Sequence, residues 1–135
     1  MNFIQSNIPD GITNICQVCP VIVNKKWGYE KILVNCNKFC GKILHYNDKG
    51  SVSSFHFHPI KTELFIVKSG RFIFRWKDEK GYSVAKEIKE GGLIYIPNCQ
   101  PHQLESLENN SEILEISTFH LDSDVVRISP GDSQK

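Results

Sequence analysis

The feature that most constrains this chain is a succession of short runs rich in Phe, Ile, Val, Tyr and Trp, each closed by turn residues, with no apolar stripe of helical period longer than two turns. The runs are Glu30 to Asn35, Cys40 to Tyr46, Ser51 to His58, Glu63 to Lys68, Arg71 to Lys77, Tyr82 to Ile88, Leu93 to Ile96, His102 to Ser106 and Ile113 to Thr118. Their separators are Asn37-Lys38, Asn47-Asp48-Lys49-Gly50, Ser69-Gly70, Asp78-Glu79-Lys80-Gly81, Glu90-Gly91-Gly92 and Glu108-Asn109-Asn110, the residue types that turns require. β-branched and aromatic side chains suit a pleated, half-buried surface. Evenly spaced short strands without helices point to an all-β sandwich or barrel. Leu64-Phe65-Ile66-Val67 and Phe72-Ile73-Phe74 are apolar on both faces, so one face fills the interior and the other needs cover.

A single domain accounts for the length of 135 residues. Residues 1–26, broken by Pro9-Asp10-Gly11 and Pro20, read as an N-terminal arm or edge strand, and 119–135 as a C-terminal extension. Sixteen basic against 15 acidic residues give a net charge of +1, which supplies no basic excess for nucleic acid or a membrane surface. No run approaches the roughly 20 apolar residues of a spanning helix, and the first residues lack a signal-peptide pattern, so the expected compartment is the cytoplasm. There the five cysteines are expected mostly reduced. Cys16-x2-Cys19 with Cys36-x3-Cys40 approaches zinc-ribbon spacing, while Cys36 and Cys40 also fit a hairpin around Asn37-Lys38; buried free thiols are the simpler expectation.

Three histidines and a glutamate carry the chemistry. His56 and His58 stand at i and i+2, the same face of a strand; Glu63 follows across a tight turn, and His102 follows Pro101 at another turn-to-strand step. Three imidazoles and a carboxylate form a donor set for one divalent ion, whether zinc, manganese, iron, cobalt or nickel, with positions left open. Taken singly, each histidine is as well read as a solvated or hydrogen-bonded strand residue. His45, between Leu44 and Tyr46, is read as structural.

The spacing Gly50-x5-His56-x-His58-x4-Glu63-x6-Gly70 resembles the first signature motif of the cupin superfamily. Gly91, Pro97 and His102 resemble the second, which departs at Cys99, where glycine is usual, and at Ser106, where asparagine is usual. The resemblance covers about residues 41–118. It implies a double-stranded β-helix, or jelly-roll barrel, in which His56, His58, Glu63 and His102 hold the metal, and it implies a homodimer. Lys61 between the donors is similar to the arrangement in cupin sugar isomerases such as D-lyxose isomerase. Trp27-Gly28-Tyr29-Glu30 resembles the entry to the barrel of cupin-type phosphomannose isomerases, although those space their ligands differently and the lyxose enzymes are longer.

The function implied is isomerisation of a small sugar or sugar phosphate through an enediolate. A divalent ion polarises the carbonyl, and a positioned acid or base moves the proton. Lys61, its pKa lowered beside a dication, is the candidate proton shuttle, with a solvent-exposed turn lysine as the alternative. Glu115, a carboxylate within the apolar run Leu114-Glu115-Ile116, is the candidate second proton carrier. Tyr46, Arg75, Tyr95 and Gln103 are further strand residues, some of which must point inward, and the segment carrying His120 and Arg127 is placed over the barrel mouth or across a dimer interface. The ligand expected is a small carbohydrate, with no Gly-rich phosphate loop or Arg cluster to favour a phosphorylated one. A metal-dependent oxygenase and a non-catalytic carbohydrate-binding cupin remain as alternatives.

Overall fold

The computed structural model describes residues 6–135, so the first five positions of the N-terminal arm lie outside the described residues. Eleven strands occur among these residues. They are β1 (Val21–Lys25), β2 (Gly28–Asn35), β3 (Cys40–Tyr46), β4 (Phe55–Phe57), β5 (Glu63–Ser69), β6 (Arg71–Lys77), β7 (Ser83–Lys89), β8 (Leu93–Ile96), β9 (His102–Ser106), β10 (Ser111–Ser117) and β11 (Val126–Ser129). A single 3-10 turn, Asp132–Gln134, ends the chain, and no helix among the described residues is long and apolar enough to cross a membrane.

The strands form two antiparallel sheets, β1-β2-β3-β10-β5-β8 and β11-β4-β9-β6-β7, facing each other as a jelly roll. All nine runs of the sequence reading contain strands. The run Ser51 to His58 shortens to Phe55–Phe57 because Ser53 turns its hydroxyl to accept the Leu104 N–H, leaving Val52 only an isolated bridge to Glu105. The 1–26 segment supplies an edge strand, β1, and the C-terminal extension supplies another, β11, on the other sheet.

Alternation along the strands sorts the interior into rows. Leu44, Ile113 and Val67 pair across β3, β10 and β5 and face inward, joined by Phe72, Phe74, Leu104 and Ile88 from the opposite sheet. Tyr46 stacks on Trp27, with ring centroids 4.3 Å apart, and meets Phe72 edge-on at 5.2 Å. One row on, the inward positions become Lys42 and Glu115, and the row beyond carries Glu63 and Ser117. The barrel thus has an apolar half that fills it and a polar half that lines a cavity.

Candidate metal centre

His56 on β4 lies directly opposite His102 on β9, and His58 follows just past the end of β4. The register therefore brings the three imidazoles together, with donor atoms all within 4.8 Å of one another. Each ring is fixed from behind. His56 Nδ1–H donates to the Ser54 carbonyl at 2.9 Å, His102 Nδ1–H to the Gln100 carbonyl at 2.8 Å, and His58 Nδ1–H to the Asp124 carbonyl at 2.6 Å. A carbonyl can only accept, so Nδ1 carries the proton and Nε2 is left as a lone-pair donor.

Glu63 opens β5 and reaches two of the rings, with Oε1 3.5 Å from His58 Nε2 and Oε2 3.3 Å from His102 Nε2. Glu63 Oε2 and His102 Nε2 are buried and make no hydrogen bond. Two buried, facing lone pairs with no hydrogen-bond partner are satisfied by a cation between them, so the donor set fits a divalent ion. Protonation agrees with this. Burial, reinforced by His102 and His58, pushes His56 down to about 3, and burial with Lys61 lowers His58, so both rings are neutral ligands at neutral pH. Burial alone would raise Glu63, but Lys61 and the two histidines hold it well below the usual carboxylate range.

Lys61 is not an exposed turn lysine. It is 3% exposed, and its Nζ lies 3.0 Å from Glu63 Oε1 and 3.2 Å from Glu115 Oε2. Burial works against its charge, yet Glu115 and Glu63 outweigh burial and hold the ammonium above its ordinary range. Glu115 is buried too and accepts a second hydrogen bond, 3.0 Å, from Ser117 Oγ.

A polar cavity of about 130 Å³ joins His56, His58, His102, Glu63, Lys61 and Glu115. The C-terminal segment folds across its mouth. His120 Nδ1 accepts from Lys61 Nζ at 3.3 Å while its Nε2–H donates to Asp122 at 3.0 Å, and Arg127 lines the same cavity.

Sequence reasoning missed three groups. Lys42 is 1% exposed inside the barrel, 3.4 Å from Glu30, and both face the cavity. Lys42 shares the inward parity of Cys40, Leu44 and Tyr46, the one signal that could have found it. Asp124 had no sequence signal. Of the other strand residues, Tyr46 is core, Arg75 pairs outside with Glu105 at 2.8 Å, Tyr95 is exposed and Gln103 donates to the Ser53 carbonyl. His45 is structural, bonded to Glu112 at 2.8 Å and stacked on Tyr29.

The cysteines are free, but Cys16, Cys19 and Cys99 are exposed and only Cys40 is buried. Among the described residues the histidine trio is the sole metal-compatible cluster, so Cys16, Cys19, Cys36 and Cys40 form no zinc ribbon. Cys99 adopts φ 65°, the left-handed conformation that explains why glycine is usual there.

Oxalate decarboxylase from Bacillus subtilis superimposes with a TM-score of 0.72 at 21% identity, over 81% of this chain and 30% of that one. KdgF from Halomonas sp. gives 0.61 at 19% identity, over 70% and 81% respectively. The capsular polysaccharide assembling protein CapF from Staphylococcus aureus gives 0.69 at 14%, over 82% and 32%. This chain therefore spans about a third of the length of the decarboxylase and of CapF, and at these identities the likeness establishes the fold alone. No curated protein sequence matches the chain. The family model described as Cupin matches residues 24–130, most of its length, and with the jelly roll and the histidine trio in place the chain belongs to the cupin family.

Proposed function

We propose that this cupin is a metal-dependent isomerase that interconverts the aldose and ketose forms of a small, unphosphorylated sugar. The observation that carries the reading is the buried chain Glu63–Lys61–Glu115, which places an ammonium and a second carboxylate in the same cavity as the metal donors. His56, His58, His102 and Glu63 would hold the ion, and manganese suits the set, as the Mn(II) centres of the Bacillus subtilis decarboxylase illustrate for that enzyme. When bound, the ion supplies Lewis acidity that polarises the carbonyl and stabilises the enediolate charge.

Glu115 takes the proton from the carbon beside the carbonyl and returns it to the neighbouring carbon, while a hydroxyl proton passes between the two oxygens. No atom or electron pair is gained or lost. Lys61, its three hydrogens directed to Glu63, Glu115 and His120, orients Glu115 and offsets negative charge in the cavity. Lys42, Glu30 and Ser54 supply hydrogen-bonding groups for further hydroxyls.

The test uses protein purified without a histidine tag and loaded with manganese, cobalt or zinc, then incubated in D2O with a panel of pentoses and hexoses. The expected result is product formation with deuterium at C1 or C2. Glu115→Gln should abolish turnover while keeping about one metal equivalent per chain. Metal-loaded protein that exchanges no sugar overturns the reading, and oxygen uptake with ferrous iron or saturable sugar binding without turnover would replace it.

A further inference from the structure

We propose that Asp124, in the C-terminal strap, is a positioning residue of the metal centre, so that docking of the strap and loading of the metal are one linked equilibrium. The inference rests on the metal-binding reading above. His56 and His102 find their Nδ1 acceptors two residues upstream, at Ser54 and Gln100, so their orientation is built into their own strands. His58 has no such local acceptor. Its Nδ1–H donates to the main-chain carbonyl of Asp124, 66 residues later.

The Asp124 side chain grips the same place from a second direction. Oδ1 accepts the Ile60 N–H and Oδ2 the Lys61 N–H, both at 2.9 Å. One buried residue thus orients His58 with its backbone and, with its carboxylate, closes the turn that separates His58 from Glu63. A simple turn clamp would explain the carboxylate bonds but not the carbonyl aimed at the imidazole. Fixing the other ring nitrogen of a metal-binding histidine sets its tautomer and its direction.

The strap is held at further points besides Asp124. The main chain of His120 exchanges two hydrogen bonds with the Asn35 amide, at 2.9 and 3.1 Å, and Asp132 accepts the Val52 N–H at 2.9 Å. β11 pairs with β4, the strand that carries His56. Strap position and His58 geometry therefore change together, and linkage requires that metal binding tighten the strap by the factor that the strap tightens metal binding.

The experiment titrates the metal-free full chain with cobalt(II), whose visible spectrum reports the ligand set, and follows hydrogen exchange of residues 121–129 with and without the ion. Asp124→Ala should weaken cobalt binding by about 10- to 100-fold and alter the spectrum. Asp124→Asn, which keeps one acceptor oxygen, should recover part of the loss. Asp132→Ala loosens the same strap at Val52, away from the His58–Glu63 turn, so by the linkage it should weaken cobalt binding while leaving the spectrum of the bound ion unchanged. In the unsubstituted chain, cobalt should slow exchange across the strap. Asp124→Ala with unchanged affinity and spectrum overturns the inference, as does a strap whose exchange ignores the metal; the exchange measurement decides alone should Asp124→Ala fail to fold. An unsubstituted chain that binds no cobalt overturns the metal reading and this inference with it, whereas binding without strap protection overturns only this one.

Discussion

At Lys61, two carboxylates within 3.2 Å hold an ammonium that burial would otherwise discharge. Lys61→Met would leave Glu63 and Glu115 buried without their cation, a change that costs about 3–5 kcal/mol in comparable pairs. Urea unfolding of metal-free protein should show a loss of that order, and the loss should shrink on metal addition, because the ion takes over the neutralisation of Glu63. A variant as stable as the parent would mean the pair is open to water. The histidines give a pH dependence of definite sign. Burial with His102 and His58 holds His56 at about 3, and burial with Lys42 and Lys61 holds His120 at about 4, whereas unfolded imidazoles titrate near 6.5. Between those values the unfolded chain binds protons that the folded chain refuses, so stability rises with pH. The unfolding free energy of metal-free protein, from urea titrations at each pH, should therefore fall steadily from pH 6.5 towards 4, by a few kcal/mol on the order of the shifts. Glu30 continues the same sign below 4.5: burial opposes its charge, but Lys42 prevails and lowers it, so its contribution is lost as acid protonates it. A flat profile over this range would show that the rings titrate freely. His56, His58 and Glu63 were legible from strand alternation and one turn, whereas His102 was joined to them by its resemblance to the second cupin motif. Asp124, which orients His58, comes from a distant segment with no periodicity of its own.

Among the elements, the C-terminal strap depends on Gly131. A Cβ there would lie 2.3 Å from Ser53 C and Ser54 N, which are backbone atoms beside β4 and cannot swing aside. Gly131→Ala should therefore lift the end of the strap, where Ser133 and Gln134 line the cavity, at a cost of about 1–3 kcal/mol typical of overpacking. Thermal melting and C-terminal proteolysis would detect it, and an unchanged melt with unchanged protection would show that the strap does not seat there. The core strands were legible as β-branched and aromatic runs closed by turn residues rather than from alternation, since Glu63 to Lys68 is apolar on both faces and Ile113 to Thr118 turns Glu115 inward between apolar neighbours. The two terminal edge strands were less so: β1, which alternates between half-buried and exposed positions, was legible as an arm or an edge strand, and β11, exposed at all four positions, only as part of an extension. Their strand character comes from pairing with β4 and β2, a tertiary cause.

For the whole molecule, the larger sheet carries two adjacent apolar rows on its outer face. In-register partners share a face, so Ile43, Leu114, Ile66 and Leu93 form one outward row across β3, β10, β5 and β8, and Ile116, Leu64 and Tyr95 form the row beside it. Leu93 and Tyr95 are 62% and 67% exposed, and Ile116 is 48% exposed. Scattered exposed hydrophobes need no explanation, but two adjacent apolar rows make a continuous patch of the kind that marks an association surface. We infer that a second copy of the chain covers it, because a flat patch that pairs with itself about a twofold axis closes at two subunits and leaves nothing further exposed. Sedimentation equilibrium should give twice the chain mass. Leu93→Glu combined with Ile116→Lys should give the monomer, with metal content unchanged because neither side chain lines the cavity. A wild-type monomer at high micromolar concentration, or a double variant that remains dimeric, would move the interface elsewhere or remove it.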